Sequence, residues 1–343
     1  MSSQGPKTSL VTGGCGFLGT HLVRELLKRG DNVRVLDLSD PSHPVEGVEY
    51  LTGDIRDTSA VEHAVRGVNS VFHLAAMAGL WSARKQDFYD INENGSRIVF
   101  EAAHRAGTSR IVHCSTESIL QGLKLEAGDG MINERIERTI DDMPGHYCKS
   151  KFLAEQVAME AASKGMPVIV VNPTVPIGPG DHNLTPPARM QLGFLNGKHP
   201  AVLDSVLNMV DGRDAARGHV LAEEKGRPGE RYILAGHNLN LVEFLGHLGR
   251  VSGLPMPNRK VPYTVALLYA CFSEAFANLT GKPPEAPITG VRLAKVPLKI
   301  DNSRAREELG WSVRPLDETL EDGIRWFWEH GHLQRQPKHL VQE

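Results

Sequence analysis

Apolar residues follow two different spacings along the first half of the chain. Short β-branched runs in which almost every position is apolar are typical of buried strands, whereas apolar residues three and four positions apart are typical of amphipathic helices. The first pattern predicts strands at residues 8–12, 32–37, 48–54, 70–74, 110–115 and 167–172. The second pattern predicts helices at residues 18–29, 58–66, 92–106 and 147–164.

The regular alternation of these strands and helices predicts the fold class. It favours right-handed βαβ units, and therefore an α/β fold around a parallel sheet. Past residue 175 the alternation of strands and helices becomes less regular, and the stretch NPTVPIGPGDHNLTPPARM is rich in proline and glycine. We predict a first domain over residues 1–175, to which later segments return, and a smaller, partly interwoven α/β domain over residues 176–343. The second domain is expected to lie across the ligand edge of the sheet.

Two segments outside the sheet carry separate expectations. The stretch TVALLYACFSEAFANLTG is amphipathic at helical spacing, and we expect a core or pocket-wall helix, with membrane contact as the alternative. Residues 121–146 and the Pro-rich stretch are expected to form lid loops that select the substrate.

Composition narrows the classes of protein. In 343 residues, 38 Lys and Arg against 41 Asp and Glu leave a formal net charge of −3, which gives no sign of a nucleic-acid or anionic-membrane partner. The four cysteines form no CxxC pair and no metal-type spacing, and the histidines show no metal-site spacing either. No signal-like segment and no apolar run long enough to span a bilayer is present, so a cytoplasmic protein without a membrane span is expected.

Three glycines mark the turn from the first strand to the first helix in LVTGGCGFLGTHLVREL. Gly13 allows a tight turn, Gly16 lets a pyrophosphate approach the backbone, and Gly19 lets the helix pack closely on the sheet. The amides at the helix start, where Phe17 and Leu18 lie, then face the phosphates. The motif therefore predicts a dinucleotide-binding loop.

The second strand ends in Asp37, at the distance downstream that ribose recognition requires. A carboxylate there accepts hydrogen bonds from ribose hydroxyls and repels a 2′-phosphate, which favours NAD(H), while Arg34 and Ser39 leave NADP(H) open. Asp54 could bond the adenine amino group, with Ile55 against the ring. Further cofactor contacts are predicted where later strands end: Leu74, Ala75, Ala76, Ser115 and Pro173.

The strongest chemical signal is HYCKSK, which holds Tyr147 and Lys151 near the start of a predicted helix. Residues four apart share one helical face. An ammonium beside a phenol favours the phenolate and is expected to lower the pKa of Tyr147 from about 10 toward the working range. The phenol could then pass a proton to or from a hydroxyl or carbonyl oxygen.

Other polar residues are candidates for supporting roles. A hydroxyl at the end of the preceding strand, on Thr116 or Ser115, could orient the same substrate oxygen. Asn92 could cap its helix or hold a water that relays protons to Lys151. Glu117 follows Thr116 directly and is a candidate to face the pocket.

Taken together, these motifs resemble those of the extended short-chain dehydrogenases/reductases. The resemblance runs over nearly the whole chain and is carried by TGGCGFLG, GDIRD, HLAA, NENGS, STES, YCKSK and DNSRAREELGW. It implies a doubly wound NAD(P)-binding (Rossmann) domain with a small C-terminal substrate domain. Many members form dimers through two helices per subunit, here those starting near Asn92 and Tyr147, which implies a homodimer.

The resemblance also implies residue roles. It assigns the general acid/base to Tyr147, ribose binding and pKa control to Lys151, and the substrate-orienting hydroxyl to Thr116. Asn92 aligns with the proton-relay Asn of the family. Within the group the chain is most similar to a bacterial branch of dihydroflavonol-reductase-like proteins or hopanoid-associated sugar epimerases, and it also resembles 3β-hydroxysteroid dehydrogenases.

Departures from the nucleotide-sugar pattern bear on the reaction. Leu207 and Asn172 stand where those members usually carry Arg, and a diphosphate needs strong cationic partners. Arg213 or Arg292 could compensate. The first hypothesis is therefore an alcohol/ketone oxidoreductase acting on a fairly apolar small molecule. The alternatives are a nucleotide-sugar epimerase or dehydratase and a non-enzymatic cofactor-sensing protein.

Overall fold

The computed structural model describes residues 6–123, 131–296 and 299–338. The described strands are β1 Thr8–Thr12, β2 Asn32–Asp37, β3 Val48–Thr52, β4 Ser70–His73, β5 Arg110–Cys114, β6 Met131–Ile132, β7 Val168–Pro173, β8 Val175–Ile177, β9 Val202–Leu203, β10 Val206–Asp211, β11 Arg231–Leu234, β12 His237–Asn240, β13 Lys260–Val261 and β14 Lys299–Ile300. Residues 124–130, which belong to one expected lid loop, lie outside the described residues.

The described helices complete the order of elements. They are α1 Phe17–Arg29, α2 Thr58–Ala64, α3 Gln86–Tyr89, α4 Ser96–Arg105, α5 Ser118–Gln121, α6 Gly145–Ser163, α7 Pro186–Leu195, α8 Gly212–Lys225, α9 Leu241–Ser252, α10 Tyr263–Thr280, α11 Ile288–Ala294 and α12 Leu316–Glu329. Two π-helical turns, Asp90–Gly95 and Ala305–Leu309, and a 3₁₀ turn, Ile140–Asp142, lie between them. Among the described helices none is both long and apolar enough to cross a bilayer.

Seven strands form one parallel sheet in the order β3-β2-β1-β4-β5-β7-β11. The chain runs outward from β1 to β3 and then returns to place β4 on the other side of β1. This reversal creates a crevice at the carboxyl ends of β1 and β4, where doubly wound sheets bind ligands. The predicted α/β, doubly wound fold class is confirmed.

Helices cover both faces of the sheet because consecutive strand residues point to opposite sides. Val11 packs with α1 and α8 in one core, whereas Leu10 packs with α2, α4 and α6 in the other. Both residues are fully buried. Strands covered on both faces have continuous apolar runs, which is why their positions could be predicted from the sequence.

The second half of the chain contributes to the sheet and also forms its own core. β11 and α8 pack in or on the large sheet although both lie beyond residue 175. β8, β10 and β12 form a separate three-stranded sheet, and α7, α9 and α12 supply most of another apolar core. The division into two domains at residue 175 stays a prediction.

Two expectations about helices are corrected. The helix predicted at residues 92–106 begins as the π-helical turn Asp90–Gly95, and only then continues as α4. Of the two readings expected for α10, the core helix is wrong, because among its residues only Ala270 and Ala277 are buried; the pocket-wall helix stays a prediction. Most of its large apolar side chains are exposed.

Candidate active site

The predicted site residues gather at the carboxyl ends of the strands of the large sheet. The glycine turn follows β1, Asp37 ends β2, and Leu74 follows β4. Thr116 follows β5, and α6 brings Tyr147 to the same edge. Parallel topology therefore collects residues that lie far apart in the sequence into one crevice.

The glycine turn has the geometry that its spacing predicts. Gly13 has φ +72°, and a Cβ there would lie 2.7 Å from the backbone nitrogen of Ala75. A Cβ on Gly19 would collide with the Gly13 carbonyl oxygen. On Gly16 a Cβ would approach only the Gly13 carbonyl oxygen, at 3.3 Å. Gly13 and Gly19 are thus fixed by packing within the chain, and Gly16 keeps the surface open at the helix start.

This cradle fits the phosphates of a dinucleotide. Gly16 caps α1 in an extended conformation without any side-chain cap, so the first amides of the helix remain available to an anion. Phe17 is buried and turns its ring toward Gly212 and His21. Phe17 can therefore contribute only its backbone to the cradle, beside the half-exposed Leu18.

Asp37 is held against the glycine turn by two backbone hydrogen bonds. Its Oδ2 accepts from the Cys15 amide at 3.0 Å and its Oδ1 accepts from the Leu38 amide at 2.8 Å. Each carboxylate oxygen has a further lone pair, so this fixed group can still accept from ribose hydroxyls. Arg34, in contrast, bonds Glu49 at 2.7 Å and the Ala64 carbonyl at 2.8 Å, away from the site.

Asp54 and Ile55, the residues predicted to contact the adenine, both have partners within the chain. Asp54 pairs with Arg56 at 2.6 Å, and hydrogen bonding to that guanidinium lowers the pKa of the carboxyl. Ile55 is buried and its side chain packs against Gly95 of the π-helical turn. Both follow β3, at the expected edge, and their adenine contacts stay predictions.

The ends of β4, β5 and β7 present backbone and small groups to the crevice. The Ala75 amide donates to Thr12 Oγ1 at 3.3 Å, and Ala76 continues this loop. Ser115 Oγ is buried without a hydrogen-bond partner among the described residues. Pro173, the last residue of β7, accepts a hydrogen bond from the Glu117 amide at 3.3 Å. An orphaned hydroxyl at this edge fits a site that holds a polar ligand.

Lys151 is positioned deep under the crevice. The ammonium Nζ donates to the Cys114 carbonyl oxygen at 2.7 Å, and the residue is buried. Burial lowers the pKa of Lys151. Since an ammonium has three donors, this arrangement suits ribose hydroxyls as additional acceptors.

Tyr147, Thr116 and Glu117 form the polar centre of the site. Thr116 Oγ1 donates to Glu117 Oε2 at 2.9 Å and lies 2.7 Å from Ser118 Oγ. Burial raises the pKa of Glu117 to about 7. Burial also raises the pKa of Tyr147, while a hydrogen bond with Thr116 acts in the opposite direction. The expected lowering of this pKa by Lys151 is therefore corrected: burial dominates, and Lys151 is directed to the Cys114 carbonyl.

Asn92 joins the loop after β4 to α6. Its Oδ1 accepts from the Met77 amide at 2.7 Å, and its Nδ2 donates to Ser150 Oγ at 2.9 Å. Ser150 in turn donates to the Tyr147 carbonyl at 2.8 Å. The alternative in which Asn92 caps its helix is wrong, because α4 has no side-chain cap. Its relay role stays a prediction.

A buried network behind Thr116 was not recognised from the sequence. Asn172 Nδ2 donates to the Thr116 carbonyl at 3.1 Å and to Glu155 Oε2 at 2.8 Å. Arg231 pairs with the same carboxylate at 2.9 Å. Gly14 was also missed, although a Cβ there would lie 2.6 Å from a Val35 methyl group. The doubled glycine was the only local signal for it.

The cations that could compensate for the missing nucleotide-sugar arginines differ in availability. Arg213 pairs with Asp211 at 2.7 Å and with Asp322 at 2.6 Å. Arg292 lies exposed on α11. Asn172 is fully buried in the network described above, so it is not exposed to a diphosphate.

Nearby histidines pack or lie on the surface. His73 lies 2.8 Å from Thr12 Oγ1 and 2.9 Å from Ser96 Oγ, and burial lowers its pKa to about 3. His146 lies beside Tyr147 in the sequence, but its exposed ring is 3.0 Å from the Tyr89 hydroxyl. Neither contact directs a histidine at the Tyr147 phenol.

The sequence is similar to several known proteins over almost its whole length. The profile of the 3-beta hydroxysteroid dehydrogenase/isomerase family matches residues 10–228. A Synechocystis sp. protein, provisionally named a dihydroflavonol 4-reductase, is 35% identical over 95% of this chain and 96% of its own. Sterol demethylase protein B of Methylococcus capsulatus is 31% identical over 95% and 100%. The 2-alkyl-3-oxoalkanoate reductase of Stenotrophomonas maltophilia is 30% identical over 92% and 97%.

Solved structures are similar over the same length. The crystal structure of gox2253 matches with a TM-score of 0.84 and 32% identity, over 96% of this chain and 100% of that one. The dTDP-glucose 4,6-dehydratase DesIV of Streptomyces venezuelae, with NAD and TYD bound, matches with a TM-score of 0.76 and 25% identity, over 95% and 99%.

Proposed function

The chain belongs to the 3-beta hydroxysteroid dehydrogenase/isomerase family, and on that premise we propose that it interconverts a secondary alcohol and a ketone on a fairly apolar small molecule. Its family membership and the relatives that are named reductases show that it is an NAD(P)-dependent oxidoreductase of the extended short-chain class. One observation carries the proposal. Thr116 follows the carboxyl end of β5, two residues after the Cys114 carbonyl that holds Lys151, and it is near enough to Tyr147 on α6 to influence the pKa of that phenol.

In the proposed reaction, Tyr147 donates to the ketone oxygen, and the Thr116 hydroxyl turns from Glu117 to donate to the same atom. Burial raises the pKa of Tyr147, so the phenol begins the reduction with its proton. Tyr147 transfers that proton to the oxygen as the alcohol forms, while Lys151, held at the Cys114 carbonyl, would bind ribose hydroxyls. When bound, the nicotinamide supplies the hydride for reduction or accepts it for oxidation.

We propose NAD(H) as the preferred cofactor. The Asp37 carboxylate is fixed beside the glycine turn by the Cys15 and Leu38 amides, where it would accept from ribose hydroxyls and repel a 2′-phosphate. Arg34, one of the two residues that left NADP(H) open, is bonded to Glu49 and to the Ala64 carbonyl. This position of Arg34 supports NAD(H).

The apolar substrate class rests on the relatives and on two residues considered for a diphosphate that are not free to bind one; a third, Arg292, lies exposed on α11. Arg213 is paired with two carboxylates, and Asn172 is buried. Relatives named for a sterol and for a 2-alkyl-3-oxoalkanoate act, by those names, on molecules with large hydrocarbon parts. A nucleotide-sugar epimerase or dehydratase remains the second candidate because of the likeness to DesIV. It would have to bind its diphosphate without these two residues.

The decisive test is Tyr147→Phe. We expect a loss of about 10²- to 10⁴-fold in ketone reduction, measured as NADH consumption with a panel of apolar ketones, while NADH still binds in a fluorescence titration. Tyr89→Phe is the matched control, because the Tyr89 hydroxyl contacts His146 outside this centre. Full activity of Tyr147→Phe would contradict the proposal. Turnover of a UDP-sugar with tightly retained NAD, and no net NADH change with ketones, would favour the second candidate.

We also propose a homodimer in the cytoplasm, formed through α4 and α6. The two helices pack side by side, and α4 carries exposed charged residues such as Arg97, Glu101 and Arg105. Light scattering of the purified protein would give the oligomeric state directly.

A further inference from the structure

A cleft lies beside α1 and α8, the two helices that cover one face of the large sheet. It has a volume of about 1150 Å³ and is lined mainly by α1, α8 and α12, with the loop that follows β8 along its rim. We call it the lateral cleft. None of the described residues that line it belongs to the glycine turn or to the centre around Tyr147. Small-molecule sites commonly have volumes of about 300–1,000 Å³, so the lateral cleft has room for a nucleotide-sized molecule.

Six cationic side chains line the lateral cleft, and only some of them are neutralised within the chain. Arg29, Arg213 and Arg314 are each paired with a carboxylate, at 2.6, 2.7 and 2.9 Å. Arg24 and Arg217, in contrast, are exposed and have no carboxylate partner among the described residues. We call these two the free arginines.

The acids of the lateral cleft do not balance the free arginines. Asp214 is bonded to Arg314 at 2.9 Å, and Glu224 is paired with Arg29 at 3.2 Å. The third acid in the lining, Glu25, lies 3.9 Å from the ammonium three positions along α1. The cleft therefore keeps an excess of positive charge, although the whole chain has a formal charge of −3.

The two helices bring their cations to the same cleft. Arg24 and Lys28 are four positions apart on α1, and Arg213 and Arg217 are four positions apart on α8, so each pair shares one helical face. α1 and α8 pack side by side. The Arg24 guanidinium reaches the rim, where its Nη1 would lie 4.0 Å from a Cβ on Gly180. Two helices and one loop thus surround a single positively charged space.

A row of four aromatic rings lines another part of the lateral cleft. The ring of His43 stacks on that of His182 with centres 3.7 Å apart, and His182 meets Trp326 edge-on at 5.0 Å. Trp326 in turn stacks on His330 at 4.3 Å. His43 and His330 are exposed at the two ends of the row, so a planar ligand ring could stack on either of them. Burial lowers the pKa of His182, and neighbouring histidines and Arg24 lower it further, which agrees with a positive local potential.

We propose that the lateral cleft binds an organic phosphate with a planar ring, of the nucleoside di- or triphosphate class. Guanidinium groups bind phosphate oxygens through charge-assisted, often bidentate hydrogen bonds. The free arginines on adjacent helices would hold the phosphates, and the ring row would stack against the base. Nucleic acid is disfavoured as the ligand, because the chain as a whole is acidic and binding to a phosphate backbone requires an extended basic surface.

The lateral cleft is linked to the dinucleotide cradle through α1, but it is a separate place on that helix. Arg24 lies eight residues after Gly16, which is about 12 Å along the helix axis. His21, between them, lies 2.9 Å from the Pro179 carbonyl and packs edge-on against Phe17. A ligand in the lateral cleft would therefore leave the crevice at the strand ends open, and both sites could be filled at once. The proposal does not depend on the proposed oxidoreductase reaction.

The test is calorimetric titration of the full chain with ATP while NADH is present at saturation, so that the dinucleotide crevice is occupied. We expect ATP to bind, and the double variant Arg24→Gln/Arg217→Gln to weaken that binding about tenfold or more. Arg259→Gln/Arg306→Gln is the matched control, because it removes two exposed arginines that do not line the cleft. It should leave the affinity unchanged.

The contribution of the rings is measured with tripolyphosphate, which has the phosphates but no base. We expect it to bind about threefold to tenfold more weakly than ATP. The double variant His43→Ala/His330→Ala should reduce the affinity for ATP and leave that for tripolyphosphate unchanged. Equal affinities of the wild type for the two probes would contradict the assignment to the nucleotide class.

Two outcomes would overturn the site itself: ATP binding that NADH abolishes, and ATP binding that the variant lacking the free arginines retains. That variant should keep the wild-type thermal melt, since both positions are exposed. It should also reduce ketones at the wild-type rate, so that failure of the lateral cleft and failure of the proposed reaction are distinguishable.

Discussion

At the scale of single residues, burial sets the protonation states around the catalytic oxygen atoms. It raises the pKa of Tyr147 and lowers that of Lys151, so each is shifted toward its neutral form. It also raises the pKa of Glu117 to about 7 from 4.5. Glu117 is thus the member of the centre that changes charge near neutral pH. Above that pH the Glu117 carboxylate opposes phenolate formation on Tyr147, because a negative charge disfavours a second negative charge nearby.

Glu117→Gln tests this electrostatic role. The wild-type profile of kcat/KM against pH should show an inflection near pH 7 that is absent in the variant, while Glu101→Gln on the exposed surface of α4 keeps it. Stability should follow the same titration. A raised folded pKa means that stability is present below the unfolded pKa of 4.5 and lost as pH rises through about 7. As the pH rises, the free energy of unfolding of Glu117→Gln should therefore increase relative to that of the wild type. An inflection that survives in the variant would assign it to another group.

At the scale of elements, the π-helical turn Asp90–Gly95 links two parts of the site. π-Helical turns are rare and often lie at functional sites. Here the turn directs Asn92 at the Met77 amide and at Ser150 on α6, so one side chain fixes both the loop after β4 and the helix that carries Tyr147. We expect these hydrogen bonds of Asn92 to act mainly by positioning the loop after β4 and the helix that carries Tyr147.

Asn92→Ala tests the contacts by which Asn92 links the loop after β4 to α6. It leaves the Met77 amide and the Ser150 hydroxyl without this partner in a buried setting, and the free energy of unfolding should fall by about 1–3 kcal/mol. We expect kcat/KM to fall as well, with the pH profile retained if the role is positioning and altered if Asn92 relays protons. Asn94→Ala is the control, since Asn94 lies on the same turn and is exposed. Equal stability and activity of the two variants would contradict the assigned role.

Features set by local spacing could be predicted from the sequence. The bounds of β1 and β2 agree with the predicted 8–12 and 32–37, since their buried apolar runs are continuous. The structure also places the glycine turn and the Tyr147–Lys151 pair at the predicted edge of the sheet, because glycine spacing and helical periodicity act over a few residues.

Features that depend on distant partners could not be predicted. The π-helical turn is associated with a bond between Asn92 and Ser150, which lie 58 positions apart. The buried Asn172–Glu155–Arg231 network joins three separate elements in the same way. For α10 the amphipathic pattern showed that two faces differ, but the sequence did not say that most of the large apolar side chains are exposed.

At the scale of the whole molecule, the cofactor site is assembled from the carboxyl ends of several strands that are far apart in the sequence. A ligand that contacts the loops after β1, β2, β4 and β5 together would oppose the separation of all these segments on unfolding. Binding to the folded state alone stabilises it by about 2.7 kcal/mol when the free ligand is at 100 times its Kd. Thermal stability is therefore a direct readout of which nucleotide the assembled crevice accepts.

We expect NADH to raise the Tm by about 4 °C under such conditions for a chain of this size, and NADPH at the same concentration to raise it less. Asp37→Asn should narrow the difference between the two nucleotides, because it removes the charge that would repel a 2′-phosphate while keeping an oxygen for the Cys15 amide. Asp40→Asn, at the exposed residue that bonds Thr52, should leave the difference intact. A larger shift with NADPH than with NADH in the wild type would overturn the proposed preference for NAD(H). The dinucleotide site itself would be contradicted only if neither nucleotide shifted the melt, because the shared phosphates bind at the glycine turn in both cases.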